Sequence, residues 1–315
     1  MSSTTLASTI RFSPDLGAWI LRNLDSGATA PALVQAMIDR EMMPLAAQAI
    51  VDAFVKARTA GQPPPVDSVS LPGPAPEYVS ETPRMARGPL IHTSGHTARV
   101  LMRIEQPLIV ALAGVLTQDE CRQVIELARP RLKPSTVVDP ATGQDVVATY
   151  RSSMGMFFRL RENALIERLD RRIAEVMSLP MEHGEGFQVL FYPEGAYSAP
   201  HFDFLVPSNA ANQASIARSG QRVSTLVAYL NDVEAGGETV FPEVGVTVSA
   251  QAGHAVYFEY ANSLGQVDQR SLHAGSPVLR GEKWVLTKWM RQRRFIAASM
   301  APSDGMMRLG SGFLP

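Results

Sequence analysis

The sequence predicts an α+β protein, a sandwich or jelly roll with helices in front, preceded by a small helical region. Three observations carry this. After Pro180, strand-like runs ("FQVLFY", "RVSTLVAYL", "GETVF", "VTVSA", "HAVYFEY", "KWVLTKWM") alternate with Gly and Asn turns and no helical pattern intervenes, as in a sheet that closes on itself. Two helical patterns, "TQDECRQVIELARPRL" and "NALIERLDRRIAEVMSL", come before these runs. Residues 61–89 hold eight of the chain's 23 prolines and set residues 1–60 apart. Proline fixes φ and removes a donor, so that stretch is expected to be an extended linker.

Residues 1–60 read as three short amphipathic helices. Ser13 is an N-cap with Pro14 at the first helical position. Leu16, Trp19, Ile20 and Leu24 repeat at helical spacing, and Gly27 stops the run. A second helix starts near Pro31 and a third at Pro44. These helices either pack against the rest of the protein or dock a partner; the pattern fits both.

Residues 90–295 form the expected main domain, opening on the apolar strand "PLIVALAGVL". Thr117 and Glu120 have capping-box spacing. Cys121, Val124, Ile125 and Ala128 share one helical face, which makes Cys121 a small core residue and not a nucleophile. The small, polar segment 207–220, "PSNAANQASIARSG", reads as a mobile loop and a candidate lid. Residues 296–315 read as a flexible tail.

Composition narrows the function. A net charge of −1 gives no general pull toward nucleic acid or anionic membrane. One cysteine excludes an intramolecular disulfide framework. No apolar run reaches the length of a membrane span, and the N-terminus shows no signal peptide, so a reducing cytoplasm is the expected compartment.

The chemistry starts at "SAPHFDFLVP". His201 and Asp203 are two apart, hence on one face of an extended segment. They are either a surface pair or two ligands awaiting a third. The other histidines are His92, His96, His183, His254 and His273. Two histidines and a carboxylate on a β scaffold make the facial triad of non-haem Fe(II) oxygenases, which leaves the opposite face open. Lys283 follows His273 by ten residues, at the start of the last strand, among Trp284, Val285 and Leu286. A cation there suits the far carboxylate of 2-oxoglutarate; the alternative is a solvent-facing lysine at a strand end.

From residue 107 to 291 the chain resembles the prolyl 4-hydroxylase branch of the Fe(II)/2-oxoglutarate oxygenases. The likeness is carried in order by "YRSSMGMFF", "IERLDRRIAEVMSLP", "FQVLFYPEGAYSAPHFD", "QRVSTLVAYLNDVEAGGETVFPEVGVTV", "AGHAVYFEY" and "SLHAGSPVLRGEKWVLTKWMR". It implies a double-stranded β-helix core, Fe(II) held by His201, Asp203 and His273, and 2-oxoglutarate and O2 as cosubstrates, with ascorbate as a reductant. It implies that Lys283 anchors the far carboxylate of 2-oxoglutarate, helped by the hydroxyl of Tyr192. It also matches Thr225 to a threonine lining that pocket and Trp289 to a tryptophan near the site. Each has an ordinary alternative: a core tyrosine, a strand threonine, a packing tryptophan.

The implied reaction couples decarboxylation of 2-oxoglutarate to succinate and CO2 with hydroxylation of an unactivated C–H bond. The expected substrate is a prolyl residue in a peptide or protein. The alternative is a free amino acid or a small natural-product intermediate. A non-catalytic binding module is the reading from another class, opposed by the intact triad and lysine. The sequence departs from the family pattern at one place. The family has tyrosine three residues before the first ligand histidine; here that position is Ser198, and Tyr197 lies one earlier. Alternation points Tyr197 to the other face unless a bulge near Pro200 restores it.

Overall fold

The computed structural model describes residues 9–40, 42–59, 61–70, 78–134, 136–138, 145–147, 153–207 and 210–297. The chain forms two compact units, Met1–Glu77 and Tyr78–Pro315. Residues 71–77 of the proline-rich stretch, 150–152 of the "YRSS" motif and 298–315 of the tail lie outside the described residues.

The first unit holds three helices, α1 (Pro14–Asp25), α2 (Ala30–Ile38) and α3 (Pro44–Thr59). Ser13 caps α1 by accepting from the Leu16 N–H at 3.2 Å, and Gly27 follows its end at φ +87°. Thr29 caps α2. Ile20, Leu33, Met37, Ala47, Ile50 and Phe54 meet in a small core of their own. Strand β1 (Thr9–Arg11) pairs antiparallel with β2 (Ser68–Ser70), and Val69 is buried in the same core. So part of the stretch read as linker is built into the helical unit.

The second unit begins with β3 (Leu90–Thr93), β4 (His96–Glu105), β5 (Leu108–Ala113), α4 (Gln118–Ala128) and β6 (Lys133–Pro134). A ribbon of β7 (Thr136–Val138) and β8 (Asp145–Val147) follows, then β9 (Met154–Phe157), α5 (Ala164–Val176), β10 (Gln188–Tyr192), β11 (Ser198–His201) and α6 (Ala210–Ser219). The remaining strands are β12 (Arg222–Tyr229), β13 (Ala235–Gly236), β14 (Thr239–Phe241), β15 (Val246–Val248), β16 (Ala255–Glu259), β17 (His273–Gly275), β18 (Val278–Arg280) and β19 (Lys283–Arg291). Two antiparallel sheets dominate, a nine-stranded one in the order β3-β4-β5-β16-β12-β19-β10-β9-β6 and a four-stranded one in the order β11-β17-β14-β15. This is the double-stranded β-helix with flanking helices.

Strand β19 shows how the layers are set. All nine of its residues are buried. Lys283, Val285, Thr287 and Trp289 line a cavity, so by alternation Trp284, Leu286, Lys288 and Met290 face the other way. There Lys288 Nζ meets Asp170 of α5 at 2.7 Å, both side chains fully buried. Helix α5 therefore covers the sheet face opposite the cavity. Helix α4 carries the expected capping box, and its Glu120 is paired with Arg172 of α5 at 2.6 Å. Cys121 is buried in the core, and burial pushes its thiol up to about 11.

The segment read as a mobile loop, 207–220, is corrected. It contains helix α6, and the end of that helix is held by two arginines from the last strand and just beyond it. Arg291 Nη2 donates to Ser215 O at 2.9 Å, and Arg293 Nη2 to Ala217 O at 2.8 Å. Cations at a helix C-terminus satisfy its open carbonyls and its dipole. The small residues that suggested a loop are compatible with a helix once those partners, some 75 residues away, are in place.

Candidate metal centre

Strands β11 and β17 bring His201 and His273 directly opposite one another, with ring centroids 4.4 Å apart. Asp203 follows β11 immediately. Its Oδ1 lies 3.7 Å from His201 Nε2 and its Oδ2 lies 3.6 Å from His273 Nε2. One donor atom from each residue lies within 4.8 Å of the others, and among the described residues this is the one such cluster. Both rings are oriented from behind. His201 Nδ1 contacts Ala199 O at 2.8 Å, and His273 Nδ1 contacts Ser271 O at 3.1 Å. A ring nitrogen against a carbonyl must carry a proton, so Nε2 is the atom that each ring turns to the cluster and can give to a metal. Phe258 and Phe241 wall His273, at 4.8 and 5.8 Å between centroids.

The carboxylate is equally fixed. Burial would raise the Asp203 pKa, but His273, His201 and Arg222 outweigh it and hold the group down at about 2. Tyr260 donates to Thr225 Oγ1 at 2.9 Å, and Thr225 donates in turn to Asp203 Oδ2 at 2.8 Å. Burial first, and then the Asp203 charge, keep the Tyr260 phenol protonated and therefore a donor. Arg222 Nη1 donates to the Asp203 carbonyl at 3.2 Å. Glu185 locks that guanidinium through two bonds of 2.7 and 2.9 Å, and Arg222 lies 4.0 Å over the Trp289 ring.

The triad opens into a cavity of about 880 Å³. Strands of both sheets line it: Leu190 and Tyr192 from β10, Ser198 and His201 from β11, Val227 from β12, Thr239 from β14, Gly275 from β17, and the alternate residues of β19. Lys283 is 5% exposed and pairs across the ladder with Tyr192. Its Nζ lies 5.6 Å from the Tyr192 ring and 5.8 Å from the Tyr229 ring, and among the described residues it forms no ion pair or hydrogen bond. Burial lowers its pKa to about 8, against a smaller opposing pull from Glu238.

The residues read from the sequence thus separate into two groups. His201, Asp203, His273, Lys283, Tyr192 and Trp289 surround one cavity. Thr225 is corrected: it is fully buried outside that lining and bonds Asp203, where a threonine of the cosubstrate pocket was expected. Thr239 and Thr287 are the threonines that line the cavity. Thr287 was readable as the residue two strand periods from Lys283. Glu185 and Arg222 gave no local signal. Tyr197 is 39% exposed and Ser198 takes the buried place. The register of β11 against β17 does shift between Ser198 and His201, so the bulge exists, but it turns Ser198 inward and not Tyr197.

The sequence is similar to known proteins of one family. The model of the 2OG-Fe(II) oxygenase superfamily matches residues 187–291. Prolyl 4-hydroxylase 1 of Arabidopsis thaliana is 40% identical over 202 residues, covering 59% of this chain and 70% of that one. Probable prolyl 4-hydroxylase 3 of the same plant is 36% identical over 204 residues, covering 59% and 69%. Among solved structures, a viral collagen prolyl hydroxylase from Paramecium Bursaria Chlorella virus-1, in its 2OG complex, matches at 25% identity over 58% of this chain and 95% of that one, with a TM-score of 0.46. The chain belongs to the prolyl 4-hydroxylase family of the 2OG-Fe(II) oxygenases and is an Fe(II)/2-oxoglutarate-dependent dioxygenase.

Proposed function

We propose that this enzyme hydroxylates prolyl residues of a peptide or protein, with Fe(II) held by His201, Asp203 and His273 and the far carboxylate of 2-oxoglutarate held by Lys283 and Tyr192. The observation that carries the reading is the company Lys283 keeps. A buried ammonium that forms no ion pair among the described residues shares one cavity with two imidazoles and a carboxylate. Buried charges are ordinarily paired, so the cavity fits a ligand that brings the missing anion. The donor set, two nitrogens and one oxygen with open space beyond, fits Fe(II).

When bound, iron and 2-oxoglutarate turn a C–H bond into C–OH, one atom of O2 going to the product and the other to succinate as CO2 leaves. This chain's residues position and protect. The carbonyls of Ala199 and Ser271 keep both imidazoles in the ligating tautomer. Thr225 holds Asp203 in its orientation. Leu190, Val227 and Val285 give the cavity apolar walls that exclude water. Phe157, exposed and still part of the lining, lies at the mouth with Arg131 and Lys133, a surface of the kind that receives an extended peptide. The names of the relatives support proline as the residue modified.

Three accessory readings belong with this proposal. The helical unit docks a partner, ascorbate serves as reductant, and the enzyme works in a reducing cytoplasm. No helix among the described residues is long and apolar enough to cross a membrane. The deciding experiment supplies Fe(II), 2-oxoglutarate and O2 with proline-containing peptides and free proline side by side, and locates any added oxygen by tandem mass spectrometry. Oxygen on a peptidyl proline is the expected result. Oxygen on free proline alone would replace the substrate class, and absence of succinate would overturn the assignment of the site.

A further inference from the structure

The cavity runs along one face of β19. Lys283 and Trp289 lie six residues apart on that face, about 20 Å along an extended chain. Trp289 is at the end near Asp203, through Arg222. The other end, around Lys283, contains a second unusual group. Ser198 is 5% exposed, lines the cavity, and its Oγ is buried with no hydrogen-bond partner among the described residues. A buried hydroxyl left unpaired is costly, so one aimed into a cavity marks where a ligand's polar atom belongs.

The backbone explains why a serine points there. Ser198 and His201 are three apart, and simple alternation would send them to opposite faces. The bulge between them sets Ser198 opposite Gly275 and His201 opposite His273, and both side chains reach the cavity. Gly275 completes the arrangement. A Cβ built on it would sit 3.4 Å from Ser198 Cβ and 3.8 Å from Lys283 Nζ. The missing side chain therefore leaves a space between the Cβ of Ser198 on one side and the ammonium of Lys283 on the other.

We infer that Ser198 is a further binding residue for the far carboxylate of 2-oxoglutarate, its hydroxyl donating to the oxygen that Lys283 does not hold. The inference rests on the proposed function, and it assigns a task to the position where this chain departs from the family's tyrosine. A hydroxyl on a side chain this short occupies little of the space that Gly275 leaves open.

Titration calorimetry on the full chain loaded with Mn(II), without O2, tests it. The ligands are 2-oxoglutarate and 2-oxobutyrate, which has the same 2-oxo acid end and no far carboxylate. Ser198→Ala is expected to weaken 2-oxoglutarate about tenfold, as loss of a hydrogen bond to a charged group does, and to leave 2-oxobutyrate unchanged. Unchanged 2-oxoglutarate affinity would overturn the inference, as would an equal loss for both ligands, which would place the hydroxyl at the metal end. If the unsubstituted protein binds neither ligand, the proposed function falls and takes this inference with it. Normal binding by that protein with an indifferent Ser198→Ala sinks the inference alone.

Discussion

Replacing Lys283 by Met removes a positive charge from a place where burial holds its pKa at about 8 against an ordinary 10.5. The unfolded chain binds the proton up to the higher value and the folded chain only up to the lower one. Between the two the unfolded state carries more protons, so stability rises with pH through that window. Below about pH 8 the folded protein bears the full cost of the buried charge. At about 1.4 kcal/mol per pH unit, that cost is about 3 kcal/mol at pH 7. Lys283→Met is therefore expected to be more stable than the natural protein by about 3 kcal/mol at pH 7, with the gap falling below about 1 kcal/mol at pH 10. Urea denaturation in buffers free of carboxylates measures both. Adding 2-oxoglutarate at a hundred times its Kd should then stabilise the natural protein by about 2.7 kcal/mol and leave the variant unmoved. A variant that is no more stable at pH 7, or a gap that does not change with pH, would refute the reasoning that this lysine is buried charged and awaiting an anion.

Three further outcomes are expected. Thr225→Val should keep the fold but cut metal affinity by about 10- to 100-fold, the usual effect of losing a group that orients a ligand; metal titration reads it, and unchanged affinity would show that Asp203 needs no support. Lys288→Met takes the countercharge from the wholly buried Asp170 carboxylate and leaves it only the Arg161 N–H among the described donors, which should cost about 3–5 kcal/mol in urea denaturation. Arg291→Met removes the donors that hold Ser215 and Gly220, and hydrogen exchange should rise in residues 210–219 before it rises in the core; uniform protection would show that α6 holds itself in place.

The parts of this molecule legible in its sequence are those governed by local rules. Caps at Ser13 and Thr117 announce their helices because a hydroxyl at the N-cap reaches the N–H three residues on. The triad and Lys283 were legible for a different reason, since their residue types and order match a family. What stayed hidden depends on contacts between distant segments. Helix α6 looked like a loop because the arginines that hold it lie beyond residue 290. Thr225 was assigned to the wrong neighbour because a hydroxyl on a strand gives no sign of which buried acceptor it will meet. Ser198 and Tyr197 exchange roles through a bulge, and one added residue in a ladder reverses every inside–outside expectation before it. The buried pair Lys288–Asp170 was invisible because each residue alone looks like an ordinary charged position on a strand or helix.

The stretch from Val79 to Met85 bears on where this chain can be divided. Arg84 Nη1 meets Glu259 of β16 at 2.9 Å, the Arg84 N–H reaches the same carboxylate, Val79 bonds Gln266 and Asn262, and Met85 is buried in the main core. Composition puts the seam at about residue 89, where the prolines thin out. A shortened chain starting at Leu90 would keep every strand of the sheet and still leave a largely buried carboxylate with Tyr257 as its remaining donor. Removing the partner of such a group costs about 3 kcal/mol or more. For anyone grafting a different module onto this oxygenase, the joint belongs before Tyr78, and the last few prolines travel with the enzyme as a buckle and not with the tether.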